Sequence, residues 1–187
     1  MVRWEPDTRE RLREAALGLY TAKGYDETTV AEIAGSVGVT ERTFFRHFAD
    51  KREVLFGGSE LLQQDFVNGV AAAPSGSPLE VVRSAILSAV GFFAEDRRPY
   101  SRRRQAIIAA NPELQERELI KMASLAGALA GALRERGVAE PAATLAAESG
   151  VTVFRMAFEL WIAEGAEQPL AEIERELFAA LKALSSD

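Results

Sequence analysis

Residues 28–48 read TTVAEIAGSVGVTERTFFRHF, and this stretch decides the fold of the chain. It opens with a helix whose first turn carries Thr29 and, three residues later, Glu32, which is the pattern of a capping box. Gly38 ends that helix, because glycine adopts the backbone conformations of a tight turn at little cost. A second, short helix follows, with Thr40 as its cap. The stretch therefore predicts two short helices joined by a glycine turn, which is the layout of a helix-turn-helix.

Apolar residues recur at helical spacing along almost the whole chain, whereas sustained alternation with period two is missing. We therefore predict an all-α fold with about nine helices. One helix precedes the quoted stretch and ends at Lys23-Gly24, and residues 54–70 indicate a long fourth helix after it. Residues 73–78 (APSGSP) form the clearest loop. Beyond this loop, helices are expected at about 79–95, 101–110, 112–136, 141–164 and 169–184.

The composition is that of an ordinary soluble globular protein, with 48% apolar and 27% charged residues among 187. Cysteine is absent, which excludes a disulfide framework, a thiolate metal site and a cysteine nucleophile. The net charge of -6 argues against a protein that coats nucleic acid without sequence preference. The first residues lack the apolar core of a secretory signal, and no stretch approaches the roughly 18 apolar residues of a membrane span. We expect a cytoplasmic protein without membrane contact.

The third helix is expected to turn a polar surface outward, because Phe44 and Phe48 fall together on its inner face. Arginine can pair bidentately with guanine, and threonine offers a hydroxyl and a methyl group to thymine. His47 and Lys51 can meet phosphates. This surface suits the major groove of DNA. The side chains on its outer faces and margins are Glu41, Arg42, Thr43, Phe45, Arg46 and His47.

With these residues the sequence resembles the tetracycline-repressor (TetR) family of transcription regulators. The match runs through residues 15–20 (AALGLY), 23–25 (KGY), 28–34, 38–40 and 43–48 with Lys51. The resemblance implies a homodimer that reads near-palindromic operator DNA, usually as a repressor released by a small apolar or amphipathic effector. It also implies a helix-turn-helix domain over residues 1–52 and a helical ligand-binding and dimerisation domain over residues 53–187. A weaker similarity, in residues 103–114, is to regulators of actinobacterial type, some of which sense acyl-chain compounds.

The resemblance assigns the DNA contacts position by position. Phe45 stands where the family usually has tyrosine, so its ring has no hydroxyl for a phosphate. Arg42 stands where glycine is frequent, and it adds a long side chain that can donate hydrogen bonds to DNA. For Arg42 and Arg46 the alternative is a solvated helix face, and His47 could instead be a surface residue or a catalytic base. The contacts carried over are Thr29, Thr40, Glu41, Arg42, Thr43, Phe45, His47 and Lys51, to which we add Arg46.

The body of the protein offers candidate pocket residues that could equally be packed core, because one sequence cannot separate a pocket wall from an interior. The basic run RRPYSRRR at residues 97–104 either holds an anionic ligand group or is a solvated turn between helices. The GxxxG pattern from Gly127 to Gly131 is expected to let two helices pack closely. The pocket candidates are Phe66, Ile86, Val90, Phe93, Arg103, Ile107, Met122, Leu125, Phe154 and Phe158.

The last two helices, at about 141–164 and 169–184, carry more apolar surface than one monomer's core needs, which favours a homodimer formed through them. We expect no metal and no cofactor. An enzyme is disfavoured, because the chain lacks cysteine, a second histidine, a phosphate-binding glycine loop and any HExxH-type spacing. A helical carrier or protein-interaction module without DNA binding is the remaining alternative.

Overall fold

The computed structural model describes residues 7–184, apart from the side chain of Val90. No strand occurs between these residues, which confirms the all-α prediction. Two short 3-10 segments, Ala89–Phe93 and Glu95–Arg97, lie between the sixth and seventh helices. The α-helices in the described range are α1 (Thr8–Lys23), α2 (Val30–Ser36), α3 (Glu41–His47), α4 (Glu53–Phe56), α5 (Ser59–Ala72), α6 (Pro78–Ser88), α7 (Arg98–Ala110), α8 (Pro112–Glu135), α9 (Ala142–Ile162) and α10 (Leu170–Leu184).

The prediction of one long fourth helix is wrong, because Gly57 and Gly58 separate α4 from α5. Glycine weakens a helix interior through its backbone entropy, and two in succession interrupt the hydrogen-bond ladder. Gly58 also lies against another side chain, since a Cβ there would meet the Phe92 ring at 3.0 Å. The next helix is shorter than predicted as well: α6 ends at Ser88 instead of continuing to residue 95.

Contacts divide the chain into two compact units. The first unit consists of the residues up to Gly57 together with Arg103–Glu118, and the second consists of Gly58–Arg102 and the residues from Leu119 onward. The first unit therefore contains the predicted domain of residues 1–52. This unit also includes residues 103–118, because Arg104 of α7 and Arg117 of α8 bind to the short helix α4.

Two arginines make this attachment inside the first unit. The Arg104 Nε atom donates to the carbonyl oxygen of Leu55 at 2.6 Å, and its guanidinium lies 5.1 Å from the centre of the Phe56 ring. Arg117 donates to the Glu53 carboxylate at the start of α4 through its Nε atom at 2.6 Å. These contacts join residues that are far apart in the sequence, so local sequence patterns do not predict them.

The core of the second unit lies where α6 packs between α5 and α9, with α10 against α9. Phe66 and Phe154 meet edge to face there, with ring centres 5.4 Å apart. Gly150 allows the close approach of α9 to α6, because a Cβ at this position would collide with Val82. A smaller apolar cluster around Trp161 joins the end of α9 to the start of α10.

Three arginines of the basic run at residues 97–104 have neither of the two predicted roles. Arg98 is buried, donates to the carbonyl oxygens of Ala166 and Gln168, and lies over the Trp161 ring. Arg102 donates to the carbonyl oxygens of residues 162 and 163 at 2.7 and 2.8 Å. The last turn of a helix has carbonyl oxygens without partners and a partial negative charge, which a guanidinium satisfies. Arg102 therefore caps the end of α9, whereas Arg98 binds the loop between α9 and α10, and Arg104 binds α4.

The GxxxG pattern does not bring two helices together in the described structure. A Cβ at Gly127 would meet no atom within 4 Å, and one at Gly131 would meet only the Arg134 side chain. The expectation of close helix packing at this pattern is wrong for the described residues.

Gly150 and Gly127 make a matched pair of helical glycines with opposite surroundings. We expect Gly150→Ala to lower the free energy of unfolding by roughly 1 to 3 kcal/mol, because the new methyl group overpacks the contact with Val82. Gly127→Ala should raise it by roughly 0.5 to 1 kcal/mol, since the helix gains propensity without a clash. Urea unfolding followed by circular dichroism measures both changes. Equal effects of the two substitutions would contradict the packing described here.

Glu174 on α10 provides a second test, based on pH. Its side chain is 2% exposed, and its Oε2 atom has no hydrogen-bond partner among the described residues. Burial raises its pKa from 4.5 to about 8, although Arg175 opposes the shift. Between these two pH values the folded protein holds a proton that the unfolded chain releases, so the free energy of unfolding falls as pH rises.

We expect Glu174→Gln to stabilise the protein by roughly 1 to 3 kcal/mol at pH 8 and to have little effect at pH 4.5. Urea unfolding at a series of pH values measures the difference. Glu172→Gln, an exposed position on the same helix, is the control and should leave the pH profile unchanged. Parallel profiles for Glu174→Gln and the unmodified protein would show that Glu174 titrates normally.

Candidate DNA-binding site

The predicted capping box at the start of α2 is present. The Thr29 hydroxyl oxygen accepts from the Glu32 backbone N–H at 3.2 Å, and the Glu32 carboxylate accepts from the Thr29 N–H at 2.8 Å. An ion pair with Lys23 holds the same carboxylate. The hydrogen bond from Lys23, followed by those from Thr29, lowers the pKa of Glu32 to about 2. The start of α2 is thus fixed from both sides.

The turn after α2 depends on Gly38, whose φ of 73° lies in the left-handed region that other residues avoid. The Val39 N–H donates back to the Ala34 carbonyl oxygen at 3.0 Å and closes the turn. Arg11 of α1 adds a further bond, from its guanidinium to the Val37 carbonyl oxygen at 2.7 Å. Arg11 was not among the predicted site residues, so its contribution to the turn was missed. The only local sign of it is that the turn exposes carbonyl oxygens which an arginine can cap.

Two phenylalanines hold α3 against the first unit. Phe44 is 0% and Phe48 3% exposed, and their ring centres are 5.4 Å apart. Thr40 caps the helix by accepting from the Thr43 N–H at 3.2 Å. Because the inner face is packed in this way, the opposite face of α3 is held outward. This confirms the orientation that the phenylalanine spacing predicted.

The outward face of α3 carries two arginines whose positive charges are not paired with other described residues. Glu41, Arg42 and Arg46 are exposed, and Thr43 is half-buried. Neither Arg42 nor Arg46 forms an ion pair or hydrogen bond with any other described residue, in contrast to Arg98, Arg102 and Arg104 of α7. Phe45 is 52% exposed, which is unusual for a phenylalanine surrounded by polar side chains. An exposed, pre-positioned set of donors next to an apolar ring can bind the edges and backbone of DNA.

His47 and Lys51 have surroundings that differ from those predicted. The imidazole of His47 is half-buried, and its Nε2 atom is buried without a hydrogen-bond partner among the described residues. Because this atom is buried, it is not available to a phosphate on the surface in this conformation. Among the described residues, none forms a hydrogen bond with this Nε2 atom that would orient the ring as a catalytic base.

Lys51 is already engaged inside the first unit. Its ammonium group donates to the carbonyl oxygens of Tyr25, Asp26 and Thr28 at 3.0, 3.4 and 3.3 Å. It also lies 4.2 Å from the centre of the Tyr25 ring, a cation–π contact. The Tyr20 hydroxyl donates to the Lys51 carbonyl oxygen at 2.8 Å. Since an ammonium group has three hydrogens, these contacts occupy its donors, and Lys51 holds the loop before α2 in place.

The pocket candidates are divided between the two units. Arg103 and Ile107 belong to the first unit, whereas the others belong to the second. Phe66, Ile86, Leu125 and Phe154 are buried in the core of the second unit, with Phe93 and Met122 half-buried at its edge. Phe158 packs beside Trp161. The Val90 side chain lies outside the described residues.

Two absences apply to the described part of the chain alone. Residues 7–184 contain no group of three histidine, aspartate or glutamate side chains that could hold a metal ion. None of the helices in this range combines the length and the apolar character that crossing a membrane requires.

Two sequence families match the chain. One, described as bacterial regulatory proteins of the tetR family, matches residues 12–56. The other, described as the MftR C-terminal domain, matches residues 76–185. The chain belongs to the TetR family of bacterial regulatory proteins. Both the predicted family and the prediction that the protein is not an enzyme are thereby confirmed.

The chain is also similar to individual transcriptional regulators. The HTH-type transcriptional regulator TcmR of Streptomyces glaucescens is 40% identical over 85 residues, which are 45% of this chain and 38% of TcmR. The chain thus spans well under half of the length of this curated relative. Thermus thermophilus FadR, a TetR-family repressor solved with lauroyl-CoA, has 25% identity and a TM-score of 0.53, with 93% of each chain covered. SmeT, the repressor of a Stenotrophomonas maltophilia multidrug efflux pump, has 20% identity and a TM-score of 0.60, with 95% of this chain and 90% of SmeT covered, and shows the shared fold.

The contacts of Lys51 give a prediction that separates a structural role from a phosphate contact. We expect Lys51→Met to lower the free energy of unfolding by roughly 1 to 2 kcal/mol, because three carbonyl oxygens lose their donor. The slope of log K against log salt for operator binding should stay unchanged, whereas a lost phosphate contact reduces it by about 1 per contact. Lys23→Met, which removes an exposed ion pair of the same unit, is the control and should cost less than about 1 kcal/mol. A reduced slope with unchanged stability would assign Lys51 to the phosphates.

Proposed function

We propose that the protein is a homodimeric transcriptional repressor that binds near-palindromic operator DNA through α3 and is released by a small apolar or amphipathic effector. The observation that carries this proposal is the outward face of α3: two exposed arginines without protein partners stand on a helix that buried phenylalanines hold in place. Membership of the TetR family supports it. Exposed guanidinium groups form charge-assisted hydrogen bonds with phosphates and release counterions from DNA, so a surface of this kind favours DNA as its partner.

The direct contacts are proposed for the residues around the turn and on α3. Arg42 and Arg46 supply donors for guanine or phosphate, Thr43 supplies a hydroxyl and a methyl group, and Phe45 supplies an apolar surface for the sugar-phosphate backbone. Thr29 and Thr40 stand at the starts of α2 and α3, where backbone N–H groups also face outward. His47 and Lys51 act from inside the unit by keeping α3 and its approach in position. The contacting set is Thr29, Thr40, Glu41, Arg42, Thr43, Phe45 and Arg46.

An exposed apolar stripe along α9 supports a homodimer. Leu145, Met156 and Leu160 are 63, 43 and 51% exposed, and their spacing of 11 and 4 residues places them on one side of the helix. The opposite side of α9 packs against α6. Leu184, on α10, is also exposed. Exposed apolar rows on otherwise packed helices mark protein interfaces, and a pair of such helices from each of two copies forms a four-helix bundle.

The effector is proposed to be a small apolar or amphipathic molecule that binds the second unit. FadR of Thermus thermophilus, which was solved with lauroyl-CoA, supports this class of compound by its similarity to the chain. A ligand changes DNA affinity only through its different affinities for the two states of the protein, which is commonly worth about 1 to 3 kcal/mol.

Selection of bound sequences from random duplex DNA tests the function. We expect the purified protein to enrich an inverted repeat with two half-sites about 10 base pairs apart or a multiple of that, since a twofold dimer reads twofold DNA. Arg42→Ala should then weaken binding to the selected operator by roughly 1 to 3 kcal/mol, or about 5- to 150-fold. Arg83→Ala, an exposed arginine of α6, is the matched control and should bind as the unmodified protein does.

Failure to enrich any sequence would contradict DNA reading and favour a carrier or interaction module. Enrichment of a single half-site without symmetry would contradict the dimer. Unchanged binding by Arg42→Ala would remove that residue from the set of contacts.

A further inference from the structure

Helix α1 extends two arginines to the chain on either side of α3. Arg11 donates at 2.7 Å to the carbonyl oxygen of Val37, which follows the last residue of α2. Arg9 donates to the carbonyl oxygen of Gly57 at 3.0 Å. The Arg9 guanidinium also lies 5.4 Å from the centre of the ring of Phe48, which follows the last residue of α3. The two arginines therefore connect α1 to the residues that precede and follow α3.

The turn before α3 is fixed to two helices. The Val39 N–H donates to the carbonyl oxygen of Ala34 at 3.0 Å, and this bond ties the turn to α2. The last carbonyl oxygens of a helix have no partner within the helix. Arg11 supplies a charged donor for the carbonyl oxygen at this end of α2, and so it ties the same turn to α1.

Three groups meet at the other end of α3. A Cβ at Gly57 would lie 3.2 Å from the Phe48 ring and 3.5 Å from the Arg9 guanidinium, so both side chains pack against this glycine. The guanidinium and the ring also form a cation–π contact. Arg9 thus holds the buried ring that anchors the end of α3.

Apolar packing and hydrogen bonds restrict α3 in different ways. Burial of Phe44 and Phe48 determines which face of the helix points inward, but the hydrophobic effect has no preferred direction. A hydrogen bond, by contrast, restricts both the distance and the angle between its atoms. Reading a base edge requires donors that are placed to within a fraction of an ångström. The links at the two ends of α3 therefore determine where its outward donors lie.

We propose that Arg9 and Arg11 are positioning residues for operator reading. They fix α3 relative to α1, and they raise the preference for operator over other DNA without touching either. The inference rests on the proposed function, in which α3 reads base edges. Binding without sequence preference depends on charge near the phosphates and not on the exact position of α3, so a lost positioning contact weakens operator binding in particular. The competing role is a phosphate contact, since a guanidinium has several N–H donors.

Hydrogen exchange in the full-length protein without DNA tests whether the arginines hold α3. We expect Arg11→Met to speed exchange of the Val39 N–H at least about fivefold, the effect of one lost hydrogen bond. Arg9→Met should do the same for the Phe48 N–H, while the Leu17 N–H in the middle of α1 keeps its rate in both variants. Unchanged exchange at Val39 and Phe48 would overturn the proposal. Equal acceleration at all three positions would overturn it too, because that result is a general loss of stability.

Binding to the selected operator and to a duplex of shuffled sequence separates positioning from phosphate contact. For Arg9→Met combined with Arg11→Met, we expect the ratio of operator to shuffled-DNA affinity to fall at least about tenfold. The slope of log K against log salt should stay within about 0.5 of the unmodified value. Arg83→Met, which removes an exposed arginine of α6, is the control and should leave the ratio unchanged.

Equal losses on both duplexes, with a salt slope smaller by about 1 or more, would assign these arginines to the phosphates and overturn the proposal. An unchanged ratio in the double variant would overturn it as well. If selection enriches no operator, the proposed function fails, and the exchange rates without DNA still decide whether Arg9 and Arg11 hold α3.

Discussion

Burial of Phe44 and Phe48 is the constraint on which the DNA-binding surface depends. A helix of seven residues is too short to be stable in water by itself, so its conformation must come from packing. The two rings provide that packing, and Thr40 removes the remaining freedom at the start of the helix. The position of the two rings then sets the outer face of α3. The direction of Arg42, the exposure of Phe45 and the half-burial of His47 follow from it.

Local chemistry explains why part of this structure could be predicted from the sequence. The capping box at Thr29, the cap at Thr40 and the turn at Gly38 each involve residues within a few positions of one another, so their pattern is visible in the printed chain. The family resemblance depended on the same residues. Helix boundaries beyond the first unit were also set by local signals, such as the proline and serine that start α6.

Long-range hydrogen bonds explain what could not be predicted. Lys51 binds carbonyl oxygens 23 to 26 residues away, and Arg98 binds carbonyl oxygens about 70 residues away. A lysine or arginine in a sequence indicates a positive charge, but not whether backbone oxygens or a ligand will satisfy it. The interpretation of the basic run failed for this reason. The break at Gly57 and Gly58 was missed, because the prediction of one helix followed the apolar spacing on both sides of these glycines.

The exposed ring of Phe45 has a consequence for how a complex would respond to its solution. A phenyl group against a sugar-phosphate backbone displaces water but no condensed counterions, so its share of the affinity is insensitive to ionic strength. A tyrosine at this place would add a directional bond to one phosphate oxygen. In the proposed complex, the contact of Phe45 would therefore depend on the shape of the groove edge, and the salt dependence of binding would report on the charged donors and not on this ring.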